Sequence, residues 1–190
     1  MNATQATPTP WSDADVDRMR ELGSIGAGNA ANVFAQLVGR TIRMQVPAVR
    51  GFSTRPLAHE LKAWDTGVFF EVQGGPGGLV AVLFSGRSRD AIVRLLLGER
   101  PPNAALDHEA ESALREVGNI LVSSVVSAIA DVLGTRVLPS IPTLALEGAG
   151  AVLQSLIAAR GAPPAVRIET EIFDGDGELR GLVVLVPEHA

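Results

Sequence analysis

Two stretches of the chain carry apolar residues at steps of three and four, the period of an amphipathic helix. In the second stretch the stripe is Leu114, Val117, Leu121, Val125, Ala128 and Val132. Ser112, Glu116, Asn119 and Ser123 fall together on the opposite side of a wheel turning about 100° per residue. A carboxylate and a carboxamide three residues apart therefore point the same way, into solvent or toward a partner. Asp107 is placed to cap the first turn and Gly134 to stop the helix. The first stretch, residues 13–38, has Met19, Leu22, Ala30, Val33 and Leu37 as its stripe, Ser12 or Asp13 as cap and Gly39 as stop.

Between and after these helices the period changes. Residues 41–47 read as a strand, while 48–63 are ambiguous because Pro56 argues against one continuous element. Residues 67–72 and 79–84 are apolar runs around Gly74-Gly75-Pro76-Gly77-Gly78, a hairpin signal. Ser88 is in position to cap a short helix ending at Leu97. Residues 136–142 read as a strand, and 151–159 as a helical stretch that Ala162-Pro163-Pro164 breaks. Residues 166–173 and 182–186 form a second hairpin around Asp174-Gly175-Asp176-Gly177. No counterpart of the 88–97 helix follows it.

The second half thus repeats the plan of the first. An offset of 95 residues takes Glu21 to Glu116, Gly23 to Gly118, Ile25 to Ile120, Gly39 to Gly134 and Pro47 to Pro142. In the hairpins the offset drifts to about 99 and then 103, as loops of unequal length produce. The expectation is one α/β (α+β) domain with a pseudo-two-fold internal duplication, antiparallel strands and two long amphipathic helices presenting polar faces outward. It divides into a disordered lead (1–11), a first repeat (12–98), a connector (99–106) and a second repeat (107–190).

Composition narrows the chemistry. A 190-residue chain with 46% hydrophobic residues can bury a full core, and its net charge of −5 gives no support for nucleic-acid binding. The absence of cysteine excludes thiol catalysis, and three scattered histidines (His59, His108, His189) disfavour a histidine metal site or a serine triad. No apolar segment reaches 18 uninterrupted residues, so no membrane span is expected and the cytoplasm is the default location. Gly26-Ala27-Gly28-Asn29-Ala30-Ala31 matches G-x-G-x-x-A, but the dinucleotide fingerprint needs a preceding strand, and here an acidic helical pattern precedes it. The glycines are better explained by close helix packing.

Ser112, Glu116, Asn119 and Pro142 are spaced 4, 3 and 23 positions apart, and Asp17, Glu21, Ser24 and Pro47 repeat that spacing with Ser in place of Asn. With the doubled plan and the phrase IGAGNAAN at residues 25–32, this pattern resembles the CheC/CheX/FliY phosphatases of bacterial and archaeal chemotaxis, and stand-alone CheC most closely. The resemblance covers about residues 13–187. It implies hydrolysis of the aspartyl phosphate of a CheY-like response regulator in two-component signalling. Asn119 would orient the attacking water and Glu116 would pair with a lysine of the receiver. No cofactor of its own is implied, since the receiver supplies the phosphoaspartate and the Mg2+.

The physical chemistry agrees with those roles. An acyl phosphate is already activated, so its hydrolysis mainly needs an in-line water and stabilised phosphoryl charge. A neutral carboxamide can both donate to and accept from that water without adding charge. A glutamate aimed at the phosphoryl oxygens would repel them, whereas one turn away it can hold a lysine. Ser24 breaks the match, because its hydroxyl sits about one to two bonds nearer the backbone than an Asn amide. Asn29 and Asn32 are out of phase with Glu21 and do not replace it.

Taken singly these residues have ordinary readings. Glu and Asn on an exposed helix are common, and Ser112 is a plain solvated helix residue. Pro47 and Pro142 fit strand-end geometry better than contact. Gly118 permits close approach of either a receiver or a core neighbour. The alternative function is a non-catalytic adaptor for phosphorylated receiver or for a CheD-type receptor deamidase.

Overall fold

The computed structural model describes residues 12–52, 56–74, 77–99, 105–161 and 166–188. Helix α1 spans Asp13–Val38 and helix α4 His108–Leu133, each of 26 residues and offset by 95 at both ends. Their ends are set by local chemistry. Ser12 accepts from the Asp15 N–H while Asp15 accepts from the Ser12 N–H, a reciprocal capping box. Asp107 accepts from the Ala110 N–H at 2.9 Å. Gly39 and Gly134 close the helices at φ of +66° and +60°, a left-handed conformation that side-chain-bearing residues rarely adopt.

Strands β1 (Ile42–Met44), β2 (Ala48–Gly51), β3 (Thr66–Gln73), β4 (Gly78–Phe84), β5 (Leu138–Pro139), β6 (Thr143–Ala145), β7 (Val166–Asp174) and β8 (Arg180–Val186) form one antiparallel sheet. Its order is β1-β7-β8-β4-β3-β5, with β2 also on β7 and β6 also on β3. The repeats are therefore interleaved. The short strands of the first repeat pair with β7 of the second, and those of the second pair with β3 of the first. The observed hairpin offsets are 100 between β3 and β7 and 102 between β4 and β8.

Helices α1, α4 and α3 (Gly86–Leu97) cover one face of the sheet; α2 (Leu57–Glu60) and α5 (Ala149–Ala159) cover the other. Along β4, Val80, Val82 and Phe84 enter the first core while Leu79, Ala81 and Leu83 enter the second. A strand buried on both faces reads as a continuous apolar run, as it does in the sequence. Helix α4 is long and apolar enough to cross a bilayer, with a mean hydropathy of 1.6 over 18 residues. Its apolar stripe is instead packed in the first core, from Ala110 and Leu114 through Val125 to Ile129.

Several expectations are corrected. The strand read over 41–47 is confined to β1 at 42–44, with β2 starting only after a break at 45–47, and that over 136–142 is confined to β5 at 138–139, with β6 starting only after a break at 140–142. In both, proline interrupts the ladder because it lacks an N–H. Ser85, not Ser88, caps α3; its Oγ accepts from the Ser88 N–H. The Ser88 hydroxyl donates to the Glu178 carbonyl and accepts from the Arg180 N–H. Val132 is in phase with the buried stripe yet exposed, because it lies in the last turn of α4 where no neighbour covers it. The lead at 1–11, most of the connector and Pro163-Pro164 lie outside the described residues.

An ion-pair network joins the end of α1 to the β7–β8 turn and to α3. Arg40 donates to Asp174 at 2.9 Å and to Glu178 at 2.7 Å, and Arg94 also pairs with Glu178. Burial pushes the Asp174 carboxyl up, but the Leu179 N–H and the Arg40 guanidinium outweigh it, leaving the group below its ordinary value. Bonding from Arg40 lowers Glu178 as well. Lowered carboxylates add stability above the unfolded value of about 4, and that stability is lost as pH falls through the folded values. The urea midpoint should therefore fall on acidification below about pH 4, and Arg40→Met should flatten that dependence. Equal slopes for both proteins would remove the network from the acid response.

Candidate functional site

The doubled polar faces lie where the pattern places them. On α4, Ser112, Glu116 and Asn119 are exposed and Ser123 is partly buried, while Val117, Gly118, Leu121 and Val122 face the core. On α1, Asp17 and Glu21 are exposed, Ser24 is partly so, and Met19, Leu22 and Gly23 are buried. Asp17 is paired with Arg20 at 2.6 Å on the same helix. Among the described residues, Glu116, Asn119, Glu21 and Ser24 have no side-chain partner within the chain. Their donors and acceptors are open to an incoming molecule.

The glycines between these residues seat the helices on the sheet. A methyl built at Gly118 would stand 2.5–2.6 Å from Cβ, Cγ1 and Cγ2 of Val68 on β3. At Gly23 it would stand 2.6 Å from Ile168 Cγ2 on β7 and 3.4 Å from the Pro47 ring. So a core neighbour, the equivalent residue on each hairpin, is what approaches. A methyl built at Gly26 would stand 2.9 Å from Val125 Cγ1 of α4, where the two long helices pack together. The G-x-G-x-x-A phrase lies in the middle of the continuous helix α1, not at a strand-to-helix turn, which removes the dinucleotide reading.

Pro47 and Pro142 immediately precede β2 and β6. The segments before them are anchored alike: the Gln45 N–H donates to the Glu171 carbonyl and the Ser140 N–H to the Glu71 carbonyl, each at 2.8 Å. Between anchor and proline, Val46 and Ile141 stand 81% and 90% exposed. The sequence reading missed these two residues. The signal for them was present, since an aliphatic residue before proline recurs at the same offset of 95. Among the described residues no group of His, Cys, Asp or Glu is arranged to hold a metal.

These features define an α+β protein of two interleaved repeats, each carrying an outward polar helix face pinned by glycine to the sheet. The chain belongs to the CheC-like family, whose model matches residues 19–50 and 109–145 and so falls in the two repeats. The CheY-P phosphatase CheC of Bacillus subtilis is 29% identical over 187 residues, spanning 93% of this chain and 90% of its own. CheC1 of Halobacterium salinarum is 33% identical over 136 residues, or 68% and 69% of the two chains. The fold is shared with Thermotoga maritima FliY (TM-score 0.68, 21% identity, 94% and 92% coverage). It is shared too with the CheX–CheY–BeF3–Mg2+ complex of Borrelia burgdorferi (TM-score 0.62, 14% identity, 87% and 97% coverage).

Proposed function

We propose that this chain hydrolyses the aspartyl phosphate of a CheY-like response regulator, acting in chemotaxis signalling in the cytoplasm. The observation that carries the reading is the pairing of Glu116 and Asn119 on α4: exposed, in phase, without partners among the described residues, and fixed in height by Gly118 against Val68. The family and its CheY-P phosphatase members supply the substrate class. In this reading α4 carries two side chains into an active site that belongs to the receiver. Asn119 holds a water in line with the acyl phosphate, and Glu116 binds the receiver lysine. The receiver contributes the acyl phosphate and its Mg2+; the charge of Glu116 stays one turn from the phosphoryl group.

The α1 face has Glu21 but only Ser24 where an amide is needed, so it docks a receiver without orienting the water as well. Phosphate release from a phosphorylated receiver should therefore fall much further with Glu116→Ala than with Glu21→Ala. Equal losses from the two would contradict the ranking of the faces. Ser24→Asn should raise the rate if the first face still docks, and an unchanged rate would remove docking from it. The adaptor reading, with a CheD-type partner included, takes over if the wild-type chain leaves the receiver's own rate unaltered.

A further inference from the structure

We infer that Ile141 is an apolar docking anchor for the receiver on the α4 face, with Val46 as its counterpart on the α1 face; this rests on the reading above. An isolated exposed aliphatic residue is ordinary. Here two β-branched residues, 95 positions apart, are held out at equivalent places by equivalent hydrogen bonds. Each precedes a proline, which restricts it to extended backbone, and β-branching limits its χ1. Such a residue is rigid before contact, so burying it against a partner forfeits little conformational freedom.

Position selects the partner. Gly118 sits on Val68, and the Ser140 N–H is held by Glu71 of the same strand, three residues or about 10 Å along β3. The pairing of Thr143 with Phe69 and of Leu144 with Val68 brings the chain after Ile141 back beside the same segment. Ile141 therefore lies within the footprint of any domain that engages Glu116 and Asn119, since a typical interface covers about 800 Å² per partner. On the same edge segment Leu138 is 57% exposed, whereas the first repeat has Arg43 at the matching offset. The apolar contact is thus larger beside the complete Glu116/Asn119 face. A second copy of this chain is disfavoured as occupant, because it would bring the exposed Glu109 and Glu116 against their own kind on a molecule of net charge −5. The occupant is a receiver surface with an apolar patch beside its lysine.

The test compares wild type, Ile141→Ser and Val132→Ser, the last an exposed aliphatic 13 positions beyond Asn119 on α4. Binding is titrated with a CheY-type receiver loaded with beryllofluoride and Mg2+, and turnover is measured with the phosphorylated receiver. Ile141→Ser should raise Kd and KM about tenfold or more with kcat and Tm unchanged, and Val132→Ser should match wild type. An unchanged Kd for Ile141→Ser overturns the anchor even where wild type hydrolyses the phosphoreceiver, and so leaves the phosphatase reading standing. A weakened Kd in a chain that shows no hydrolysis supports the anchor while the phosphatase reading fails. A wild-type dimer that Ile141→Ser dissociates, with receiver binding unaffected, assigns the residue to a second copy and overturns the inference.

Discussion

Asn119→Ala is expected to slow receiver dephosphorylation on the order of a hundredfold, with folding and receiver binding close to wild type. The side chain is exposed and has no partner among the described residues, so its removal leaves no cavity and no buried polar group. On the proposed function, what is lost is the group that would fix the water. Because Glu116 remains, the variant should bind an activated receiver while failing to turn it over. The measurement is kcat beside KM for phosphate release: a fall confined to kcat is predicted. A rise in KM with kcat intact would make Asn119 a docking residue and leave the water without a positioning group.

Gly118→Ala should destabilise the fold and depress turnover together. Two effects oppose each other there. Alanine is favoured over glycine inside a helix by about 1 kcal/mol. Against this, the new methyl lies 2.5–2.6 Å from three atoms of Val68, including Cβ, which no rotamer change can move away. Overpacking of that kind costs about 1–3 kcal/mol, so the clash wins. Relief requires α4 to lift from β3, which displaces Glu116 and Asn119 on either side of the glycine. Gly23→Ala should be milder, because Ile168 presents one methyl at 2.6 Å while its Cβ is 3.7 Å away. Urea midpoints for the two variants check the order. A Gly118→Ala midpoint at or above wild type would mean that the helix does not rest on Val68 as described.

The long helices were legible because everything that defines them is local. The stripes, the Ser12 and Asp107 caps and the Gly39 and Gly134 stops are set within a few residues of each end. The Glu116/Asn119 face followed from the same periodicity, and the duplication from its offset. What was not legible depends on long-range pairing. Nothing near Ile42 or Leu144 says that each strand joins the other repeat's hairpin, so the interleaving of the halves was hidden. The breaks at Pro47 and Pro142 were visible as prolines, yet their consequence, an outward-turned Val46 and Ile141, needed the Glu171 and Glu71 carbonyls on distant strands. Ser88 stood three residues after Ser85, and only the partners Glu178 and Arg180 distinguish a buried linking hydroxyl from a cap.

The buried side of the molecule explains how the proposed site can be built from two exposed residues. Gly118, Val68 and the two-faced strand β4 make a rigid platform, and the polar face has only to carry the right groups at the right height. The fold alone would serve a docking protein equally well, since the α1 face retains Glu21 without the amide.

The most direct measurement is the decay of a phosphorylated CheY-type receiver, alone and with a substoichiometric amount of the chain. Catalytic turnover of the receiver requires a first-order rate that rises in proportion to the chain added, with many receivers turned over per chain. A decay rate equal to that of the receiver alone, or slowed by capture of the phosphorylated form, would contradict it.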